Sequence, residues 1–126
     1  LGAAEDILTA NPNLVGFFAN NNHTGIGVGR AIVEGNLHDD IVLVAYDSDP
    51  EQVTQLLEGA IKALIVQDPF RMGYQGVHDA LRAIQGEELE RFVDTGVVAV
   101  TAENYDDDVI QELIDPALRA ARILGQ

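Results

Sequence analysis

The chain predicts an α/β fold built on an open parallel βα sheet. Three observations carry that reading. Short apolar runs alternate with stretches of helical periodicity along all 126 residues, the pattern of βαβ units. The run IVLVAY at 41–46 is continuous and rich in β-branched residues, as parallel strands buried on both faces are. Each of the three clearest apolar runs then gives way to Asn, Asp-Ser-Asp or Gln-Asp-Pro, residues that turn a chain and cap the next helix.

The elements follow in order. Leu1, Ala4, Ile7 and Leu8 recur at helical spacing, and Asn11-Pro12-Asn13 stops that helix. LVGFFA at 14–19 is a short buried strand, followed by Asn20-Asn21-Asn22 as turn and cap. Residues 23–34 read as a helix with Ile26, Gly29, Arg30 and Val33 on one side, ended by Gly35-Asn36. Its glycines at 25, 27 and 29 predict close packing on a sheet. After the 41–46 strand, Ser48 or Asp49 caps a helix that Pro50 begins, with Val53, Leu56 and Leu57 as its apolar side and Gly59 as its end. ALIVQ at 63–67 is the third strand. Asp68-Pro69 opens a helix to about Gln85-Gly86, with Met72, Val77, Leu81 and Ile84 as its inward stripe. Residues 92–101 are extended, 109–113 form a short helix, and Asp115-Pro116 begins a last helix or a tail. Only three strands keep the strict βα pattern, fewer than open parallel sheets usually hold, so the expectation is part of a larger βα domain.

Composition excludes several function classes. Seven basic against 21 acidic residues give a formal charge of −14, which repels phosphate backbones and anionic membrane surfaces alike. The chain has no Cys, hence no disulfide, thiolate metal site or thiol nucleophile. No apolar run reaches the length of a bilayer span, and no secretory signal is legible at the start. Any export signal is therefore expected outside these residues.

In open α/β sheets ligands bind beyond the C-terminal strand ends. Here those ends carry Asn20, Asn21 and Asn22, then Asp47, Ser48 and Asp49, then Gln67 and Asp68. None is a Lys or His. Amides donate and accept side by side, and a carboxylate takes two hydroxyl hydrogens, so the set suits a neutral polyol or sugar better than an anion. Each residue also has an ordinary role as turn former or cap. Asn20, Asn22, Ser48 and Asp49 read as caps; Asn21, Asp47 and Gln67 are the candidates for a ligand, and Gln is a poor capping residue. Asp47-Ser-Asp49 also echoes the paired aspartates of haloacid-dehalogenase-like phosphatases, but the only Lys, Lys62, precedes its strand. Gly25-Ile-Gly27-Val-Gly29 sits within a helix and so misses the phosphate-binding G-x-G-x-x-G turn. His23, His38 and His78 have no metal-ligand spacing, the acidic stretches 87–90 and 106–108 face solvent, and no Ser–His–Asp arrangement is legible. No cofactor is called for.

Four segments, AEDILTANPNLVGFFANNN, IVLVAYD, AIKALIVQDPFRMGYQGV and FVDTGVVAVTAEN, resemble in kind and order the C-terminal part of type I periplasmic sugar-binding proteins. This is the ribose-binding-protein-like group, whose fold the ligand-binding domains of LacI-type repressors share. The DTGVVxVT stretch is closer to the solute receptors of ABC transporters, with a repressor or sensor effector domain as the alternative. The resemblance implies that Asn21, Asp47 and Gln67 meet sugar hydroxyls. The family usually has Asp where Asn22 stands and Gly where Ala45 stands. The resemblance also implies that residues 1–68 belong to the C-terminal ligand-binding lobe. Residues 69–126 then hold a hinge crossing, a helix and a strand that pack on an N-terminal lobe lying outside this chain, and a C-terminal tail. The implied partners are a sugar, the membrane permease of an ABC transporter, and the N-terminal lobe or another copy of the chain, with no nucleic acid. The implied location is periplasmic or extracellular, with a lipid anchor compatible.

Overall fold

The computed structural model describes residues 1–125. Helix α1 (Gly2–Ala10) leads into strand β1 (Gly16–Ala19), then α2 (Asn22–Gly35), β2 (Val42–Tyr46), α3 (Pro50–Leu57), β3 (Ala63–Gln67), α4 (Pro69–Ile84), β4 (Val97–Val100), α5 (Asp108–Ile114) and α6 (Pro116–Leu124). The sheet order is β1-β2-β3-β4. β1, β2 and β3 are parallel, with Ala19 beside Ala45 and Tyr46 beside Ile65. The expected βα alternation is therefore present, and it delivers the ends of three strands to one edge.

β4 departs from the all-parallel expectation. It pairs antiparallel with β3, and Val97 lies opposite Gln67. The physical reason lies in α4. That helix buries none of its residues, so it does not pack back along the sheet as a crossover helix does. The chain re-enters at the edge it left and must run the other way. The extended stretch expected at 92–101 contracts to these four residues.

The core forms on one side of the sheet. Leu43, Ala45 and Leu64 are fully buried there, with Ile32 of α2 and Leu56 of α3 against them. On the alternate residues Phe18 is 64% and Val42 52% exposed, as the two-residue period of a strand requires when only one face is covered. α2 packs on β1 and β2 and between α1 and α3. Its buried positions are Gly25, Gly29, Ala31 and Ile32; of the expected side Gly29 is buried and Ile26 half-buried, whereas Arg30 and Val33 are exposed. Arg30 instead reaches out to an ion pair with Glu51 at 2.6 Å.

The glycines of α2 mainly permit helix–helix approach. A Cβ on Gly25 would stand 2.9 Å from the Ala45 Cβ and run into the Gln52 amide; one on Gly29 would run into the Gln55 amide. Those two glutamines are buried in α3. They, rather than Leu57, complete its inward face beside Leu56, and Leu57 is 52% exposed. The inward stripe expected for α4 is likewise corrected. Met72 is half-buried, but Val77 is 64%, Leu81 53% and Ile84 82% exposed, because no described element covers them.

Candidate functional site

Asp47 follows directly on β2. Its N–H donates to the Ile65 carbonyl at 3.0 Å, which carries the β2–β3 ladder one residue beyond the strand. Its φ of 72° lies in the left-handed region. Asp enters that region more readily than most residues, yet holding it there costs on the order of 1 kcal/mol. Gln52 braces the turn from beneath. Its Nε2 donates to the Tyr46 carbonyl at 2.9 Å, and its Oε1 accepts from the Asp49 N–H at 3.3 Å. Asp49 caps α3 and accepts from the Glu51 N–H at 3.0 Å. Both flanks of Asp47 are thus tied to one buried side chain, as a left-handed residue needs if it is to stay there.

Gln67 ends β3 on the adjacent strand. Its Nε2 donates to Asp47 Oδ1 at 3.0 Å. Among the described residues no donor is bonded to Asp47 Oδ2 or to Gln67 Oε1. The pair therefore keeps a carboxylate oxygen and an amide carbonyl for incoming hydroxyls. Both residues are half-buried and border a cleft of about 810 Å³ that Asn22, Val53, Tyr105 and Ile114 also line.

Asn21 stands differently. It is the N-cap of α2, with its side-chain oxygen accepting from the Thr24 N–H at 2.9 Å and the Thr24 hydroxyl at 3.1 Å. It is exposed, and the cleft wall is formed by its neighbour Asn22. The structure thus joins Asp47 to Gln67 directly and gives Asn21 the capping role expected of Asn20 or Asn22. Tyr105 and Asp115, which also border the cleft, were not legible as site residues. Each lies near an end of α5 and reaches the cleft because that helix seats Ile110 in the core.

Next along the chain, Asp68 caps α4, its Oδ1 accepting from the Arg71 N–H at 2.9 Å. Arg119 of α6 donates through Nη1 to both Asp68 oxygens, at 2.7 and 2.8 Å, and its guanidinium lies 4.4 Å from the Phe70 ring centre. Burial pushes the Asp68 carboxyl up, but the Arg119 hydrogen bonds and charge together with the Arg71 N–H outweigh it and hold it below its ordinary range. Among the described residues no three His, Asp or Glu side chains gather to hold a metal, and no helix is long and apolar enough to cross a membrane.

The comparison with known proteins accords with this geometry. The family model described as "Periplasmic binding protein domain" matches residues 2–88. The ribose import binding protein RbsB of Escherichia coli (strain K12) is 29% identical over 90 residues, which are 71% of this chain and 30% of that protein. A carbohydrate transporter solute binding protein from Agrobacterium radiobacter, solved in complex with D-arabinose, is 45% identical with a TM-score of 0.85, over 91% of this chain and 39% of that one. An ABC transporter solute binding protein from Agrobacterium vitis, with bound D-fucose, is 33% identical with a TM-score of 0.82, over 90% of this chain and 39% of that one. The chain spans between 30% and 39% of the length of these relatives. The parallel strands, the polar strand ends and the matched span together place this chain in the periplasmic binding protein domain family.

Proposed function

We propose that this chain forms one wall of the sugar cleft in an ABC-transporter solute receptor and binds a neutral monosaccharide without catalysis. The observation that carries the reading is the Asp47–Gln67 pair, bonded at 3.0 Å across two parallel strand ends with no Lys or His among the residues that line the cleft. Asp47 accepts hydroxyl hydrogens through its free oxygen, and Gln67 donates and accepts. Asn21 contributes its amide once Thr24 releases the side-chain oxygen or through its NH₂ group. The bound D-arabinose and D-fucose of the relatives support the ligand class, and a receptor of this family works on the periplasmic side with a membrane permease as partner.

On this reading residues 1–68 belong to the ligand-binding lobe, and residues 69–126 carry a hinge crossing and surfaces for the facing lobe. The exposed stripe of Val77, Leu81 and Ile84 on α4 supports that division, because an apolar stripe of this size requires a cover. A second copy of the chain can take the same place.

Isothermal titration of the receptor containing these residues against D-arabinose, D-fucose, D-ribose, D-glucose and D-galactose tests the proposal. One or more should bind, and Asp47→Ala should weaken that binding by about 2–5 kcal/mol if the carboxylate is desolvated with its ligand. Silence toward every neutral sugar refutes it.

A further inference from the structure

We infer that Arg119, in the C-terminal helix, is a positioning residue for the sugar site and acts through Asp68 on Gln67. The inference rests on the assignment of Gln67 to that site. Gln67 and Asp68 are consecutive, so whatever fixes the Asp68 backbone fixes the point from which the Gln67 amide reaches Asp47. Three contacts converge there. Asp68 Oδ1 holds the Arg71 N–H at the start of α4, Arg119 Nη1 bridges both Asp68 oxygens, and the same guanidinium covers Phe70 at 4.4 Å.

Arg119 and Asp68 are 51 residues apart in sequence, and their side chains are only 23% and 20% exposed. This pair therefore differs from a surface ion pair, which solvent screens to little effect. Removing Arg119 leaves a half-buried carboxylate without the guanidinium that bonds both its oxygens. Asp68 then turns toward water, the α4 cap loosens, and the β3 end that presents Gln67 loses its outer restraint. α6 also packs against α5, so α6 remains seated when only Arg119 is changed. The consequence is a link between the far C-terminal helix and sugar affinity, without any contact between that helix's Arg119 and sugar.

The test uses the receptor carrying these residues, with D-arabinose, D-fucose and D-ribose as titrants, and Arg119→Met, Arg119→Lys, Gln67→Ala and the double variant Gln67→Ala/Arg119→Met. Arg119→Met should lower affinity about 3- to 30-fold. Arg119→Lys, which keeps a cation within reach of Asp68, should restore most of the loss. In the Gln67→Ala background the Arg119→Met penalty should vanish, as it must if Arg119 works through Gln67. A full penalty in that background, or none in the parent, overturns the inference. The side-chain NH₂ resonances of Gln67 in the ligand-free protein give a readout that needs no sugar: Arg119→Met should shift them and Arg119→Lys should not. Unmoved resonances overturn the coupling even where sugar binds. Shifted resonances in a protein that binds none of the sugars uphold the coupling and refute the assignment of the site.

Discussion

Replacing Gly25 by Ala tests the packing beneath the Asp47 turn. A methyl group there stands 2.9 Å from the Ala45 Cβ and enters the space of the Gln52 amide. Gln52 is fully buried and cannot swing into solvent. It must give up its bonds to the Tyr46 carbonyl and the Asp49 N–H, now 2.9 and 3.3 Å. Overpacking costs about 1–3 kcal/mol and stranding a buried amide about 1–3 kcal/mol, while the better helix propensity of Ala returns about 1 kcal/mol. The net expectation is a loss of about 1–5 kcal/mol. Urea unfolding of the 126-residue chain, followed by far-ultraviolet circular dichroism, measures it. Gly73→Ala is the internal control. A Cβ at Gly73 within α4 meets nothing inside 4 Å, so that change should stabilise by about 0.5–1 kcal/mol. The reasoning fails if Gly25→Ala unfolds at or above the parent midpoint while Gly73→Ala shifts as expected.

Asp47→Asn retains an acceptor for Gln67 and a residue at ease in the left-handed region, so its unfolding midpoint should stay within about 0.5 kcal/mol of the parent, while titration calorimetry shows weaker sugar binding from loss of the charge. Asp47→Ala should lose stability as well, by up to about 1 kcal/mol, the difference between what a positive φ costs Ala and what it costs Asp. The Asp68 carboxyl lies below its ordinary 3.8 in the folded chain, so as pH falls the unfolded chain takes up that proton first. The stabilisation is complete above about pH 3.8 and is lost as pH drops from there through the folded value; Asp68→Asn should remove that part of the acid-unfolding slope. Light scattering of the 126-residue chain should show association. Leu81→Glu with Ile84→Glu, at positions 53% and 82% exposed, should return it toward the monomer mass without lowering the unfolding midpoint. A parent that is already monomeric removes the case for that surface.

The parallel strands and the polar residues at their ends were legible because both depend on local chemistry. IVLVAY and ALIVQ read as strands without tertiary information, and Asp47 and Gln67 stand where those runs stop. What escaped depends on neighbours distant in sequence. The burial of Gln52 and Gln55 follows from the absence of side chains at Gly25 and Gly29 on another helix, and nothing in EQVTQLL marks its glutamines as interior. Three consecutive asparagines offer equivalent caps, so only the backbone geometry of α2 selects Asn21. The periodicity of α4 is that of an amphipathic helix facing a core, and a one-dimensional pattern does not record whether the core is present. The antiparallel entry of β4 follows from that same helix.

The pairing of Gln67 with Val97 has a mechanical consequence. The polypeptide leaves the sheet and comes back to it on neighbouring threads, so everything from Asp68 to Gly96 is an excursion whose two ends share one doorway. Arg119 of α6 grips the start of that excursion at Asp68 and Phe70, so a tilt of the outer part strains that grip before it disturbs the ladder between β2 and β3. Gln67 stands at that doorway and is bonded to the carboxylate on the strand beside it, so on the proposed reading a hydroxyl held there touches both the doorway and the neighbouring strand.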